Sequence, residues 1–487
     1  MTAEIPNLPT HRDLFYDGAW HPPVNGRYLD SRSPATDEVL GQVADGNGQD
    51  AETVIAAAQK GFEAWSNVPP LERAKIMRQA AAEICRFGDE LALIDSADGG
   101  NPVREMRSDA AKAAGSFDFF AGLVTELKGD SIPMGPNAVN FSIREPVGVV
   151  ARIVAFNHPF MFTAAKAAAP LAAGNSVIMK PPEVASLSAL RLAEIIGHLF
   201  PPGVFNVAVG GRELGAALSS HRGVAMVTLI GSVPTGRAVM RAASDTLKPV
   251  LFELGGKNAL IAFADADAEE VAKAMIEGMN FTWCGQSCGS TSRAFVHEVI
   301  HDRVVELLGP HVAKYRPGLP TDTATTMGAI VSKAQYEKVL SYVEVAKQDG
   351  ATLLHGGKRP EDRLLSKGNF VEPTIFTGVK QSMRIAREEV FGPILSVLRW
   401  SDEATMLADV NSVEYGLTCS IWTENLEAAH RSARTVEPGY VWINEVSKHF
   451  LGAPFGGFKQ SGIGREECLS EMLAFTREKN IHIRLRH

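Results

Sequence analysis

The chain has 487 residues, of which 45% are hydrophobic and 21% charged, and its formal net charge is −8 at pH 7. This composition is typical of a globular protein with a large core and roughly two to four domains. The acidic charge argues against nucleic-acid binding, and the sequence has neither a signal peptide nor an apolar run of about 18 residues for a membrane span. We therefore expect a cytoplasmic protein without nucleic-acid or membrane partners.

The cysteines are few and have no paired Cys-x-x-Cys spacing, so the sequence indicates neither a disulfide framework nor a metal site. We expect reduced thiols. The five are Cys85, Cys284, Cys288, Cys419 and Cys468.

The first predicted elements are helical. After an irregular start, apolar residues recur at helical spacing from Leu71 to Ile84, and the Gly-Gly-Asn-Pro segment at 99–102 ends the helical region. Two β-rich runs follow at 139–143 and 147–154, separated by Arg-Glu-Pro at 144–146. They predict a hairpin or a crossing pair of strands.

Strand-like and helix-like segments then alternate, which predicts a parallel, doubly wound sheet. The predicted strands cover 149–154, 176–179, 204–209 and 225–230, with helices from about 159, through 190–199 and near 213. A second set begins at 258–263 and continues through 268–279, 292–297, 301–308 and 336–348, with strands near 395–398 and 441–444. The sequence therefore predicts two α/β domains.

The end of the chain has strand periodicity, because apolar and polar residues alternate from Asn480 to Arg486. With the 128–155 region, this strand could complete a sheet on another subunit or form an edge strand within its own. The pattern alone does not choose between the two.

One pair of residues suggests a reaction. Cys288 lies in the loop Gly-Gln-Ser-Cys-Gly, and Glu253 begins the segment Glu-Leu-Gly-Gly-Lys. A cysteine among small residues can attack a carbonyl, and a carboxylate beside glycines can activate water. The pair predicts a thioester that is formed and then broken. Taken alone, a free cysteine is more often a small buried hydrophobe.

Three more patterns lie where predicted strands end, the edge at which open α/β sheets bind ligands. Asn157 could donate to an oxyanion or cap a helix. Lys180 and Glu183 could hold ribose hydroxyls or form a surface charge pair; the carboxylate disfavours a 2′-phosphate, so NAD is favoured over NADP. Residues 231–237 could hold a pyrophosphate or form an ordinary turn. The glycine-rich segments 389–393 and 454–466 indicate tight backbone turns.

In their order, these motifs resemble those of the NAD(P)-dependent aldehyde dehydrogenase superfamily over essentially the whole chain. The shared motifs are Asn-x-Pro, Lys-Pro-x-Glu, Gly-Ser…Gly, Glu-Leu-Gly-Gly-Lys, Gly-Gln-x-Cys, Glu-x-Phe-Gly-Pro and Pro-Phe-Gly-Gly-x-Lys-x-Ser-Gly-x-Gly-Arg-Glu. The resemblance implies an α/β fold in four parts: a Rossmann-like NAD-binding domain (1–127 and 146–253), an α/β catalytic domain (254–453), a β-rich oligomerisation element (128–145 and 471–487) and a return segment near the active site (454–470). A homodimer or homotetramer is expected.

The resemblance also assigns roles. Cys288 is the nucleophile, Glu253 the general base that activates water, and Asn157 the oxyanion donor beside the backbone N–H of Cys288. The implied reaction is NAD-dependent oxidation of an aldehyde to a carboxylic acid. The resemblance implies that Lys180 and Glu183 hold the adenosine ribose, and that Gly231 and Ser232 hold the pyrophosphate. It implies that Glu389 holds the nicotinamide ribose, with Phe391 packing nearby.

A substrate pocket is implied as well. Small Ala165 among aromatic side chains favours a bulky or aromatic aldehyde as the substrate. Lys448 and His449 could instead attract a carboxylated semialdehyde, which stays an alternative. Cys284, in a Trp-Cys pair where many family members carry Asn-Gln, is expected to pack, with a redox role as the alternative. The implied pocket residues are His158, Phe162, Ala165, Trp283, Ser287, Lys448, His449 and Phe455.

Two rival functions fit the sequence less well. A dehydrogenase that transfers its acyl group to CoA has no need of a water-activating carboxylate such as Glu253. A noncatalytic protein on the same fold would typically dispense with Cys288.

Overall fold

The computed structural model describes residues 6–485, and positions 1–5 and 486–487 of the predicted NAD-binding domain and terminal strand lie outside the described residues. Two large, mainly parallel sheets form the α/β fold, as predicted. The strands are β1 Leu14–Tyr16, β2 Ala19–His21, β3 Tyr28–Arg32, β4 Val39–Ala44, β5 Ser131–Ile132, β6 Ala138–Pro146, β7 Val149–Ile153, β8 Ser176–Lys180, β9 Phe205–Val207, β10 Met226–Ile230, β11 Val250–Glu253, β12 Ala259–Ala262, β13 Arg293–His297, β14 Thr352–His355, β15 Thr374–Thr377, β16 Ile394–Trp400, β17 Tyr415–Gly416, β18 Thr418–Trp422, β19 Tyr440–Ile443, β20 Phe458–Lys459, β21 Gly462–Ile463 and β22 Thr476–Arg484.

The helices pack mainly against the faces of these sheets. They are α1 Gly48–Ser66, α2 Pro70–Arg86, α3 Gly88–Gly99, α4 Val103–Gly122, α5 Pro159–Ala172, α6 Leu187–Ile196, α7 Arg212–Ser220, α8 Val233–Ser244, α9 Ala268–Gly278, α10 Glu298–Val312, α11 Lys333–Gln348, α12 Arg384–Arg387, α13 Glu403–Asn411, α14 Leu426–Thr435 and α15 Leu469–Ala474. Within residues 6–485, no helix is both long and apolar enough to cross a membrane.

The first large sheet has the strand order β2-β1-β9-β8-β7-β10-β11-β21, and β9 through β11 run parallel. The chain moves outward from β7 to β9 and then crosses back to β10. In open α/β sheets such a reversal leaves a ligand crevice at the carboxyl ends of the strands. Strands buried on both faces read as apolar runs, and Val177 and Ile178 in β8 accordingly pack into different core clusters.

The second large sheet has the order β14-β15-β16-β13-β12-β18-β19, with only β14 antiparallel to its neighbour. The return segment joins both halves of the molecule. Its strand β21 pairs with β11 of the first sheet, and β20 pairs with β17, which immediately precedes β18 of the second.

Local sequence explains where several helices begin. Asn47 and Asp50 form a reciprocal capping box at α1, and the side chain of Asp267 caps α9. Helices α2, α5 and α8 each carry a proline in the first turn, where its missing N–H costs nothing.

Two parts of the chain differ from the sequence prediction. The start is not wholly irregular, since β1 and β2 extend the first sheet and β3 pairs with β4. Strand β6 does not stop before Arg144 but continues to Pro146, because it pairs along its length with β22. Since β7 belongs to the first sheet, β6 and β7 form a crossing pair rather than a hairpin. The pairing of β22 with β6 also means that the terminal strand pairs within its own subunit.

Candidate active site

A cavity of about 580 Å³ lies between α4, α5, the Cys288 loop and the 447–455 segment. The three predicted catalytic residues, Asn157, Glu253 and Cys288, all line it. So do all of the predicted pocket residues, namely His158, Phe162, Ala165, Trp283, Ser287, Lys448, His449 and Phe455. The fold thus brings together side chains that lie up to about 300 positions apart in the sequence.

Glu253 is the last residue of β11, and its backbone lies between Ile230 of β10 and Gly462 of β21. Gly462 is needed at this position, because its φ is +154° and a Cβ on it would lie 2.3 Å from the Phe252 carbonyl oxygen. Burial raises the pKa of Glu253 to about 8, although its hydrogen bond with the Cys288 thiol lowers it. Oxygen Oε1 of Glu253 has no hydrogen-bond partner within residues 6–485.

Cys288 follows the short 3₁₀ turn Phe281–Trp283, in a loop that packs closely against two backbone segments. A Cβ on Gly285 (φ +63°) would lie 2.3 Å from the Gly392 carbonyl oxygen, and one on Gly256 would lie 2.6 Å from that of Cys288. Asn258 Nδ2 donates to the Cys288 carbonyl at 2.6 Å. Burial, and then the Glu253 carboxylate, raise the pKa of Cys288 well above its usual value, so the resting group is a thiol.

Asn157 lies just beyond the carboxyl end of β7. The residue at the N-cap of α5 is His158, and no side chain caps that helix, so Asn157 does not have the alternative capping role. Its backbone carbonyl accepts a hydrogen bond from Asn101 Nδ2 at 2.7 Å, whereas its buried side-chain Oδ1 has no partner among the residues that the structure describes. A buried, unsatisfied amide of this kind is uncommon and calls for an explanation.

The predicted adenosine-side residues lie at the carboxyl edge of the first sheet, outside the cavity. Lys180 ends β8 with its side chain 7% exposed, and its Nζ lies 3.4 Å from Oε2 of Glu183, whose side chain is 44% exposed. Burial lowers the pKa of Lys180. Gly231 follows β10, and the side chain of Ser232 caps α8 by accepting from the Thr235 N–H.

Glu389 and Phe391 connect this edge to the nucleophile loop. Glu389 Oε1 accepts from the Gly256 N–H at 2.9 Å, and a Cβ on Gly255 would lie 2.1 Å from Glu389 Oε2. The Phe391 ring packs edge-on against Phe156, with centroids 5.6 Å apart. The glycines therefore let the Glu389 carboxylate approach the backbone that supports Cys288.

The sequence interpretation missed a buried group of charges on the cavity floor. Arg152 Nη2 lies 2.8 Å from Glu466 Oε1 and Nη1 3.4 Å from Glu471 Oε1, and Lys166 Nζ lies 2.8 Å from Glu466 Oε2. We call these four residues the ion cluster. A signal was present, because Arg152 interrupts an apolar strand and Lys166 an alanine-rich helix, and buried charges need partners.

Two further observations concern the cavity wall. Asp109, which carries no sequence signal of its own, is buried on α4, and its Oδ2 lies 2.6 Å from His158 Nδ1. Cys284 packs in the apolar core beside the second sheet, 1% exposed, and is not linked to Cys288.

The comparisons with known proteins agree with this geometry. A sequence profile described as the aldehyde dehydrogenase family matches residues 20–481. The aldehyde dehydrogenase tropH of Talaromyces stipitatus is 50% identical over 486 residues, covering 98% of this chain and 94% of that protein.

Solved structures superpose over nearly the whole chain. The P. syringae indole-3-acetaldehyde dehydrogenase AldA, a cysteine-to-alanine mutant in complex with NAD+ and IAA, is 35% identical, with a TM-score of 0.95 and 98% of each chain covered. The aldehyde dehydrogenase KauB from Pseudomonas aeruginosa is 36% identical, with a TM-score of 0.95, 98% of this chain and 97% of that chain covered. Sequence and fold together show that the chain belongs to the aldehyde dehydrogenase family.

Proposed function

We propose that the protein oxidises an aldehyde to a carboxylic acid with NAD, through a thiohemiacetal and then a thioester on Cys288. The observation that carries this proposal is the placement of Cys288, Glu253 and Asn157 on one cavity, with the thiol and the carboxyl group close enough to shift each other's pKa. A nucleophile, a base and an oxyanion donor are the groups that this reaction needs.

The first step requires the sulfur to lose its proton. Because its pKa is raised well above the usual value, the thiol transfers that proton to a base as it attacks the aldehyde carbon. Glu253 is in contact with it and can accept the proton when ionised. The Asn157 amide and the backbone N–H of Cys288 stabilise the oxyanion; one such donor is typically worth roughly 10²–10³ in rate.

The second step releases the acid. NAD, when bound, accepts the hydride that leaves the substrate carbon. Glu253 releases the thiol proton to solvent and, once ionised again, deprotonates the water that attacks the thioester. A pKa of about 8 suits this role, because a base works best when its pKa lies near the operating pH.

The residues at the sheet edge fit the cofactor. The half-exposed Glu183 carboxylate can accept from ribose hydroxyls and repels a 2′-phosphate, which supports NAD over NADP. Gly231 and the N-terminus of α8 offer backbone N–H groups to a pyrophosphate. Glu389 lies between this edge and the Cys288 loop and is partly exposed, which supports a contact with the nicotinamide ribose. The complex of the P. syringae relative with NAD+ supports the same cofactor.

A bulky, aromatic aldehyde fits the cavity best. Phe120, Phe162, Trp283, Trp442 and Phe455 line it, while small Ala165 leaves room. The P. syringae relative is an indole-3-acetaldehyde dehydrogenase, which supports an aromatic substrate. A carboxylated semialdehyde is the second candidate, favoured by Lys448 on the cavity wall. His449 favours it less, because its Nδ1 lies 3.3 Å from Glu467 Oε2.

The proposal also assigns a role to each sheet. The first sheet supplies the cofactor edge, the second supports the Cys288 loop, and β5, β6 and β22 form a separate sheet. In that sheet Val139 lies opposite Ile483, and both are more than 40% exposed. An exposed apolar pair on an edge sheet supports its use as an interface in a homodimer or homotetramer, which light scattering can measure.

The main test is NADH formation with benzaldehyde-type, long aliphatic and semialdehyde substrates, with NAD and NADP compared. We expect aromatic aldehydes and NAD to be preferred. Cys288→Ser should lower turnover by roughly 10³-fold or more, whereas Cys284→Ala, four residues away, should keep it. Turnover by Cys288→Ser equal to that of the parent contradicts the mechanism.

A second test removes the base of both steps. Glu253→Gln should slow the first turnover, reach about one equivalent of NADH per site and then turn over about 10²–10⁴-fold more slowly than the parent, because thiol deprotonation is slower and the thioester persists. NADH formation that depends on added CoA indicates acyl transfer to CoA instead.

A further inference from the structure

A histidine and a buried carboxylate share the cavity wall without taking part in the thioester chemistry. His158 Nδ1 lies 2.6 Å from Asp109 Oδ2, and Lys112 Nζ donates to Asp109 Oδ1 at 3.0 Å. The Asp109 side chain has no solvent exposure, and that of His158 is 7% exposed. Asp109 belongs to α4 and His158 precedes α5, so the pair joins the two helices that enclose the cavity.

This contact determines which imidazole nitrogen carries the proton. Burial raises the pKa of Asp109, but His158 and Lys112 outweigh burial and hold it below its usual value. The carboxylate is therefore ionised and can only accept hydrogen bonds. Nδ1 of His158 must donate to it, and in the neutral ring Nε2 is then an acceptor. Within residues 6–485, no group donates a hydrogen bond to Nε2.

The surroundings of the ring define the kind of ligand that Nε2 would meet. His158 packs edge-on against Trp283 and Phe162, with centroids 4.6 and 5.6 Å away. All three rings line the cavity, and His158 follows Asn157 directly. A hydrogen-bond acceptor thus lies in an aromatic wall beside the oxyanion donor.

The structure assigns to His158 the role of a specificity-determining residue that accepts a hydrogen bond from a substrate hydroxyl, which makes a hydroxylated aromatic aldehyde the preferred substrate class. The assignment rests on the proposed function, because it takes this cavity to hold the aldehyde. The Asp109 carboxylate holds the ring with Nδ1 as the donor, which turns the Nε2 lone pair of the neutral imidazole toward a ligand rather than toward Asp109. An unsubstituted ring would bury Nε2 without a partner, which disfavours such a substrate.

A purely structural His158–Asp109 pair would hold α4 against α5 and treat aromatic aldehydes of equal shape alike. The test therefore compares each hydroxybenzaldehyde (ortho, meta and para) with the methylbenzaldehyde of similar size. We expect kcat/KM of the parent to favour at least one hydroxyl isomer about tenfold over its methyl partner, the effect of one hydrogen bond.

Three variants locate the effect. His158→Phe keeps an aromatic ring but has no acceptor, and should lower the hydroxyl-to-methyl ratio about tenfold. Asp109→Asn should lower it about threefold, because an amide can donate to Nδ1 and leave Nε2 protonated. His301→Phe, which replaces a histidine paired through Nδ1 with Asp302 and does not line the cavity, should leave the ratio unchanged. If His158→Phe does not fold, His158→Gln takes its place, with at least a threefold fall expected.

A hydroxyl-to-methyl ratio of kcat/KM near one at all three ring positions of the substrate, measured with the parent, overturns the assignment. A ratio that neither His158 variant changes overturns it as well. Both outcomes leave the proposed function intact. Turnover of no aldehyde refutes the proposed function instead. In that case calorimetric binding of hydroxybenzoates and methylbenzoates to the Cys288→Ser protein decides the role of His158. Tighter binding of a hydroxybenzoate, lost in Cys288→Ser with His158→Phe, supports it, and equal binding overturns it.

Discussion

Two clusters of polar side chains lie beside the same cavity, and one is largely neutral whereas the other keeps its charges. In the catalytic cluster of Cys288, Glu253 and Asn157, the buried oxygens Glu253 Oε1 and Asn157 Oδ1 have neither a hydrogen-bond partner nor an ion-pair partner within residues 6–485. In the ion cluster, each of the four side chains lies within 3.4 Å of an opposite charge. The ion cluster, Glu253 and Asn157 are nearly inaccessible to solvent, and Cys288 is partly exposed, so burial alone does not explain the difference.

Protonation shows what the difference means. Burial raises the pKa of Glu253 to about 8, and it also raises that of Cys288, so the catalytic cluster is largely neutral at rest and can gain or lose a proton. In the ion cluster, burial lowers the pKa of Lys166, but Glu466 and Glu471 outweigh burial and raise it, so the ammonium keeps its charge. The catalytic cluster is arranged for proton transfer, and the ion cluster for holding its shape.

Breaking the ion cluster should give the largest change in stability. Arg152→Met leaves Glu466 and Glu471 with only Lys166 to balance them, and an uncompensated buried charge typically costs about 3–5 kcal/mol. We expect a clearly lower midpoint of urea unfolding, followed by tryptophan fluorescence.

Arg477→Met is the matched control, because it removes an exposed arginine that pairs with Glu145 at 3.7 Å. Surface pairs are typically worth about 0–1 kcal/mol. Equal losses in the two variants would show that the ion cluster does not stabilise the fold.

Truncating Asn157 should act on the rate rather than on stability. Asn157→Ala removes the proposed oxyanion donor, so kcat should fall by roughly 10²–10³-fold, equivalent to about 2.7–4 kcal/mol. Asn206→Ala is the control, since this buried amide donates to the backbone carbonyls of Val177 and Gly203. It should lower stability by about 1–3 kcal/mol and leave kcat unchanged. A comparable loss of rate in both variants would remove the special role of Asn157.

The pH dependence of stability tests the catalytic cluster directly. Glu253 has an ordinary pKa of 4.5 and a folded pKa of about 8. Between these values the unfolded chain releases this proton and the folded protein keeps it. Stability from this group is therefore fully present below pH 4.5 and is lost as the pH rises to about 8. Gln stays neutral, so Glu253→Gln should gain stability over the parent as the pH rises.

We expect that gain to be about 3 kcal/mol larger at pH 9 than at pH 5.5, measured from unfolding midpoints. The pKa of Glu471 is also raised, to about 7, but its titration occurs in both proteins and cancels in the difference. A difference that does not change with pH would mean that Glu253 is not held neutral in the folded protein.

The parts of the fold that were predictable are those with a local pattern. Strands β7, β8 and β10 are buried on both faces and read as apolar runs, and the helices between them have their own periodicity. Strands β1 and β2 have only three residues each, too few to show a period. The extension of β6 to Pro146 depends on pairing with β22, more than 300 positions away.

The candidate site divides in the same way. The ordered motifs located Cys288, Glu253 and Asn157, because glycines and strand ends mark their positions locally. The pairing of Arg152 with Glu466 and of Asp109 with His158 was not predictable, since these partners are 314 and 49 positions apart and no local pattern connects them. The charges themselves were visible, but their partners were set by the tertiary structure.

Cys284 should give the smallest effect, although it is the cysteine nearest to the nucleophile in sequence. It belongs to the apolar core cluster that also contains Phe295 and Val339, and burial raises its pKa well above the usual value, so it is not a thiolate. Cys284→Ala should therefore keep kcat and lose only about 1 kcal/mol of stability. In the native parent, mass spectrometry after brief alkylation should find exposed Cys85 modified and Cys284 unmodified. A Cys284–Cys288 disulfide after mild oxidation would instead assign Cys284 to the reactive part of the cavity.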